Sequence, residues 1–251
     1  MSYSTKVLVV PPNDAEAILI SRIAEAIELP FICSGQMHGA SLDKGKDIVA
    51  MIKKGGYKHA IVVEMPGVKA EARIRKMGVK LTIIDHHHYT GLDRAVNKKT
   101  GRLLPSSLEQ FLKLFRLTNP KLRRLGFDPK LVLGIGILDK GYIWALQHKG
   151  YTLKEIRAVL KFHDELMSKL RNPRTEKRKQ RSAERAWKGR KKWGKFFIVS
   201  SRANIQLRPR LSLIVAIEKR KPVPLIIVER KRKLIYVQES PYALELFNEF
   251  G

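Results

Sequence analysis

The chain has 251 residues, enough for one large domain or two, and too many for a small scaffold that depends on cross-links. Its 50 Lys and Arg against 23 Asp and Glu give a formal charge of +27, which calls for a polyanionic partner, nucleic acid ahead of an anionic membrane. The single cysteine, Cys33, excludes an internal disulfide and a thiolate zinc site, and no apolar run reaches the roughly 18 residues of a membrane span. The expectation is a soluble, cytoplasmic protein.

Short apolar runs at 6–10, 59–63 and 80–84 read as strands buried on both faces, with 31–34 as a weaker fourth. Helical patterns lie between them at 15–29, 43–54 and 68–77. Such a βαβ series predicts a parallel, Rossmann-like sheet with helices on both faces. Three more helices are expected, opened by the capping box Ser106-Ser107-Leu108-Glu109, by Asp128-Pro129, and by Thr152-Leu153-Lys154-Glu155. Beyond them, 196–200, 211–217, 225–229 and 234–238 read as strands, the last two as a hairpin around Arg230-Lys231-Arg232.

Charge divides the chain. Residues 1–170 hold 28 basic and 16 acidic side chains, and residues 171–251 hold 22 and 7, of which 12 and 2 fall in 171–195. The expected organisation is an α/β domain over 1–170, a highly basic and partly helical linker over 171–195, and a smaller α+β, strand-rich domain over 196–251.

In a parallel sheet all strands run one way, so residues just past their carboxyl ends collect along one rim, where α/β proteins place their sites. Asp14 follows the first run, Glu64 the run at 59–63, and Asp85, His86, His87 and His88 the run at 80–84. Carboxylates and imidazoles together suit a divalent metal such as Mn²⁺. Asp139, on a stretch apolar nearly all round, is a fourth candidate because a buried carboxylate needs a metal or a cation facing it, and Lys140 and Arg157 are the alternative partners. Asp14 serves equally well as the cap of the helix that begins at Ala15.

The run Thr82-Ile83-Ile84-Asp85-His86-His87, in order with Asn13-Asp14-Ala15, Val63-Glu64 and Gly136-Ile137-Leu138-Asp139-Lys140-Gly141, resembles the DHH phosphoesterase superfamily, of the exonuclease and oligonucleotide-phosphodiesterase type, across 6–145. Val96-Asn97 and the Ser106–Glu109 box also look like the family's segments downstream of its DHH motif. The resemblance implies metal-activated attack of water on a phosphoryl group. It makes Asp14, Glu64, His86 and Asp139 metal ligands, has Asp85 orient an imidazole, and turns His87 toward the phosphate. The family's first motif carries a His and two Asp. With Asp14 at the second Asp, the other two positions fall on Leu8 and Pro12, which bind no metal, and no Gly-Gly-Gly-His loop occurs. The implied cofactor is therefore one Mn²⁺ or Mg²⁺, or none if the site has decayed.

For the basic segment the expectation is phosphate contact by Arg174, Lys177, Arg178, Lys179, Arg181, Arg185, Lys188, Arg190, Lys191 and Lys192. Trp187 and Trp193 either stack on bases or pack against the C-terminal strands. Two functions are consistent with these residues. One is a binding module for RNA or DNA, or for a ribonucleoprotein assembly such as the ribosome, built on a degenerate active site. The other is a Mn²⁺-dependent phosphodiesterase or exonuclease acting on nucleic acid.

Overall fold

The computed structural model describes residues 3–37, 39–45, 47–87, 105–240, and 243, 246 and 249. His38, His88, Val96 and Asn97 lie outside the described residues. The chain divides into two units, Met1–Leu170 and Arg171–Gly251.

In the first unit the predicted runs all form strands, but only those at 6–10 and 59–63 are buried on both faces; the one at 80–84 stands at the sheet edge and buries only Ile84. The order is β1 (Lys6–Val10), α1 (Ala15–Ala26), β2 (Phe31–Cys33), α2 (Ile48–Lys54), β3 (His59–Val63), α3 (Val68–Lys76) and β4 (Lys80–Ile84). All pairings are parallel in the order β2-β1-β3-β4, with Val9 opposite both Ile32 and Val62, and Val63 opposite Ile84. Because β1 has β2 on one side and β3 on the other, the winding reverses there, and a crevice opens between the carboxyl ends of β1 and β3. Val7, Val9 and Val62 pack one face of the sheet against Ile48 and Ile52 of α2 and Ile74 of α3. α1 packs on β1 and β2 and buries Leu19, Ile20 and Ile23.

The helix expected over 43–54 is two pieces, a 3-10 turn at Leu42–Lys44 and α2. Asp47 between them has φ 62, which ends any continuous helix. Asp43 is used elsewhere: its Oδ1 accepts the amide of Ala70 at 2.7 Å, satisfying a free N–H at the start of α3. Gly67 permits this approach, since a Cβ there would lie 2.7 Å from the Asp43 nitrogen.

Among the described residues after β4 the elements of this unit are helices, α4 (Ser107–Leu114), α5 (Asn119–Arg124), α6 (Pro129–His148) and α7 (Leu153–Met167). Capping boxes open α4 at Ser106 and α7 at Thr152, and Asp128 caps α6. The sequence pattern does not reveal α5; its six residues are too short to display a period. α6 is interrupted at Tyr142, with φ 57 and ψ −156.

The second unit comprises α8 (Pro173–Lys188), β5 (Lys191–Trp193), β6 (Phe196–Ser201), α9 (Arg208–Lys219), β7 (Leu225–Glu229) and β8 (Leu234–Gln238). Its sheet runs β5-β6-β7-β8, parallel only between β6 and β7, with β7 and β8 joined through a 3-10 turn at Arg230–Arg232. The segment 171–195, expected as a linker, supplies α8 and β5, and Ala183 and Trp187 of α8 lie in the unit's core with Val199, Leu211, Val215, Leu225 and Ile227.

The strand expected over 211–217 is part of helix α9. The run is apolar and contains Ile214, Val215 and Ile217, but its buried residues Leu211 and Val215, and Ser212 and Ala216, stand four apart, and Pro209 opens the first turn. Among the described residues no helix is long and apolar enough to cross a membrane.

Candidate metal centre

The rim of the first sheet gathers side chains from five places in the chain. Glu64 follows β3 directly and has φ 50, a left-handed conformation that costs a non-glycine residue about 1–2 kcal/mol. Its amide is held by the carbonyl of Ile84 at 2.9 Å. Strain of this kind persists where the surroundings over-determine it, and here the surroundings are the cluster that Glu64 enters.

His86, in the loop after β4, is the hub. Its Nδ1 lies 3.1 Å from Glu64 Oε1 and 3.6 Å from Glu16 Oε2, and its Nε2 lies 3.1 Å from Asp139 Oδ2. One ligand atom from each of Glu16, Glu64, His86 and Asp139 falls within 4.8 Å of all the others. The hydroxyl of Ser107, at the start of α4, donates to Glu64 Oε1 at 2.7 Å and lies 3.3 Å from His86 Nδ1. Glu16 and His86 are 1 % exposed, whereas Asp139 and His87 are 29 % and 32 % exposed, so the cluster is closed toward the core and open at one side.

Three of the four expected ligands, Glu64, His86 and Asp139, come together; in the fourth place stands Glu16 rather than Asp14. Asp14 caps α1, its Oδ1 accepting the amide of Ala17 at 2.8 Å. It remains within the field of the cluster: burial, then Asp139 and Glu64, push its carboxyl up to about 7. Glu16 lies two residues further on, on the same face as Leu19, Ile20 and Ile23, so the helix carries it inward. A signal was present in the sequence, since Glu16 continues the otherwise apolar stripe of Leu19, Ile20 and Ile23.

Glu16 Oε1 accepts the amide of Leu108 at 3.0 Å, while Oε2 is buried and holds no hydrogen bond. Burial, then Asp139 and Glu64, raise the Glu16 carboxyl well above its ordinary value. Burial acts in the same direction on Glu64, but contacts from His86 and Ser107 overcome it and hold that carboxyl below its usual value. For His86 burial disfavours charge, yet Asp139, Glu64 and Glu16 prevail and raise it to about 11. Three carboxyl groups thus face one imidazole, and one buried Glu16 oxygen is left without a hydrogen-bond partner. That donor set, mixed oxygen and nitrogen, fits a divalent cation.

Asp85 Oδ1 accepts the amide of His87 at 2.8 Å and contacts its Nδ1 at 3.1 Å. This fixes the His87 ring, which stacks on His86 with centroids 4.2 Å apart. The hydrogen bond to Asp85 raises the His87 imidazole above its ordinary value against the opposing effect of burial. Gln110 of α4 holds the Asp85 carbonyl at 2.9 Å. Lys140 does not face Asp139; it is buried and paired with Glu109 of α4. Gly136 on α6 makes room for α4, since a Cβ there would lie 2.3 Å from Ser106 Oγ and 3.4 Å from Glu16 Oε1.

The basic segment divides into two sets. Trp187 is 3 % exposed, with its indole donating to Glu218 and Arg190 stacked 4.2 Å over its ring, so it packs in the core and presents no face to bases. Arg190 also pairs with Glu218, and Lys179 with Glu176. Arg174, Lys177, Arg178, Arg181, Arg185, Lys188, Lys191, Lys192 and Trp193 are exposed.

No family model matches the chain, and no curated protein matches it. Among solved structures, the pGpG-specific phosphodiesterase PggH of Vibrio cholerae is 11 % identical, with a TM-score of 0.38 over 92 % of this chain and 81 % of that one. Exonuclease RecJ bound to manganese is 14 % identical, with a TM-score of 0.31 over 89 % of this chain and 75 % of that one.

Proposed function

We propose that the first unit is a divalent-metal-dependent phosphoesterase acting on nucleic-acid phosphodiesters, with one Mn²⁺ or Mg²⁺ held by Glu16, Glu64, His86 and Asp139. The observation that carries this reading is the convergence of those four ligand atoms within 4.8 Å in the crevice where the winding of the sheet reverses. A bound metal would supply Lewis acidity toward a phosphoryl oxygen and lower the pKa of a water.

The remaining residues have separable roles. Ser107 orients Glu64 and His86 through its hydroxyl. Asp85 holds His87 Nδ1, so the other ring nitrogen is the one left to donate to a phosphate oxygen at the open side. Asp14 keeps α1 in register with the rim by capping it, and by doing so sets the inward position of Glu16.

The test is hydrolysis of a labelled dinucleotide and a single-stranded oligonucleotide with added Mn²⁺. Turnover that is abolished by EDTA and by Glu64→Gln supports the reading. Its absence in the wild type with every divalent metal tried would return the first unit to a scaffold.

That scaffold is the second reading, and one observation favours it: Leu8, which stands where the resembled family has its histidine, is fully buried in β1. On this reading the chain is a nucleic-acid-binding module and the rim residues are retained for packing. The charge of the chain supports nucleic acid as the partner in either case and singles out no ribonucleoprotein assembly.

A further inference from the structure

α8 has two unlike faces. Glu176, Ala183 and Trp187 point toward the unit's interior, Glu176 pairing with Lys179 and Arg210. Arg174, Arg178, Arg181, Arg185 and Lys188 step by four and three residues, so they share the opposite face. All five are exposed, and among the described residues none has an ion-pair partner. The stripe is about 21 Å long at roughly 1.5 Å per residue. Five unneutralised cations in a row on one rigid helix repel one another, and a row of anions relieves that repulsion.

The type of anion is decided by the surroundings of the stripe. No large apolar side chain flanks the exposed face of α8, so it lacks the surface a helix needs to lie in a membrane interface. Just beyond its end, β5 carries Trp193, 65 % exposed, after Lys191 and Lys192. An exposed indole next to cations stacks on bases that are not already stacked in a duplex.

We propose that the second unit binds single-stranded nucleic acid, with the Arg174–Lys188 stripe contacting phosphates and Trp193 stacking on a base. This goes beyond the phosphoesterase reading and does not depend on it, since binding is measured in EDTA, where the metal centre is silent.

The test uses the full chain and a fluorescein-labelled oligo(dT) of about 20 nucleotides, long enough to cover the site of a typical single-strand binder. Anisotropy is followed between about 50 and 200 mM salt. Replacing Arg174, Arg178, Arg181 and Arg185 by Gln is expected to weaken binding at least tenfold, and to make the log–log salt slope shallower by about 0.7 per lost contact. Replacing the same four by Lys retains the slope, which separates charge from any effect on folding. Trp193→Ala weakens binding and removes quenching of the protein's fluorescence by oligo(dT). Equal weakening when four exposed cations of the first unit (Lys53, Lys54, Arg123 and Arg124) are replaced by Gln would show diffuse attraction by net charge and overturn the proposal. So would tighter binding to the corresponding duplex, or binding to phosphatidylserine–phosphatidylcholine vesicles but not to oligo(dT).

Discussion

Glu16 Oε2 stands 3.6 Å from Nδ1 of His86, with both side chains 1 % exposed, so an acid from the first turn of α1 and an imidazole from the loop after β4 meet in the interior. The same imidazole also faces Glu64 and Asp139, each at 3.1 Å. The cluster therefore gathers oxygen and nitrogen atoms of the kind that suit a divalent cation.

Glu16 and Asp14 are distinguished by titration with Mn²⁺. Glu16→Gln is expected to lower Mn²⁺ affinity by at least about tenfold, as loss of even an outer partner does at metal sites. Asp14→Asn, which keeps a cap oxygen, should leave the affinity within a fewfold of wild type. Calorimetry reads both, with one ion bound per chain; loss of binding in Asp14→Asn and retention in Glu16→Gln would exchange their roles.

Ser106 and Ser107 are adjacent and do different things. Ser106 is the cap of α4, accepting the Glu109 amide at 3.1 Å, so Ser106→Ala should cost about 1 kcal/mol of stability in urea unfolding. Ser107→Ala should also cost about 1–3 kcal/mol, because its buried hydroxyl donates to Glu64, but unlike Ser106→Ala it should in addition weaken Mn²⁺ binding by about 10–100-fold, because that hydroxyl touches Glu64 and His86.

Gly136→Ala should destabilise the first unit by about 1–3 kcal/mol. The added methyl meets Ser106 Oγ at 2.3 Å, and the hydroxyl cannot move aside without losing the cap of α4. Gly134→Ala meets Val159 Cγ2 at 2.5 Å and should cost a similar amount while leaving metal affinity unchanged. Unfolding curves and metal titrations on both variants separate the two effects.

The Glu109–Lys140 pair gives a pH dependence of definite sign. Burial opposes the charge of Glu109, but Lys140 outweighs it and holds the carboxyl below its ordinary 4.5. A carboxylate depressed in the folded state adds stability above its unfolded value, and that stability is lost as pH falls through the folded value. Glu109→Gln should therefore be destabilising at pH 7, by about 1–3 kcal/mol because Lys140 is left buried without its partner. The gap to wild type should narrow steadily below about pH 4.5 in urea unfolding.

Trp187 and Trp193 should respond oppositely to truncation. Trp187→Ala removes a core indole and should cost about 3–5 kcal/mol. Trp193→Ala removes an exposed ring and should leave the unfolding midpoint unchanged.

The strands of the first sheet, the boxes at Ser106 and Thr152, and the rim positions of Glu64 and His86 were legible in the sequence. Each rests on local physics: a β-branched apolar run, a side chain that satisfies a free amide, and a parallel sheet whose carboxyl ends share one edge. Packing alone decided the rest. Whether Asp14 or Glu16 enters the cluster depends on the rotation of α1 against the sheet, which is set by Leu19, Ile20 and Ile23 finding the core. Lys140 pairs with Glu109 rather than Asp139 because neighbours on a helix point about 100° apart and α4 covers one of them. The run at 211–217 is short enough to satisfy a strand or a helix pattern, and only burial of Leu211 and Val215 against β6 and β7 selects the helix. Trp187 sits among cations in the chain and in the core of the fold, since charge order along a helix says nothing about which face is turned inward until its partner surface is present.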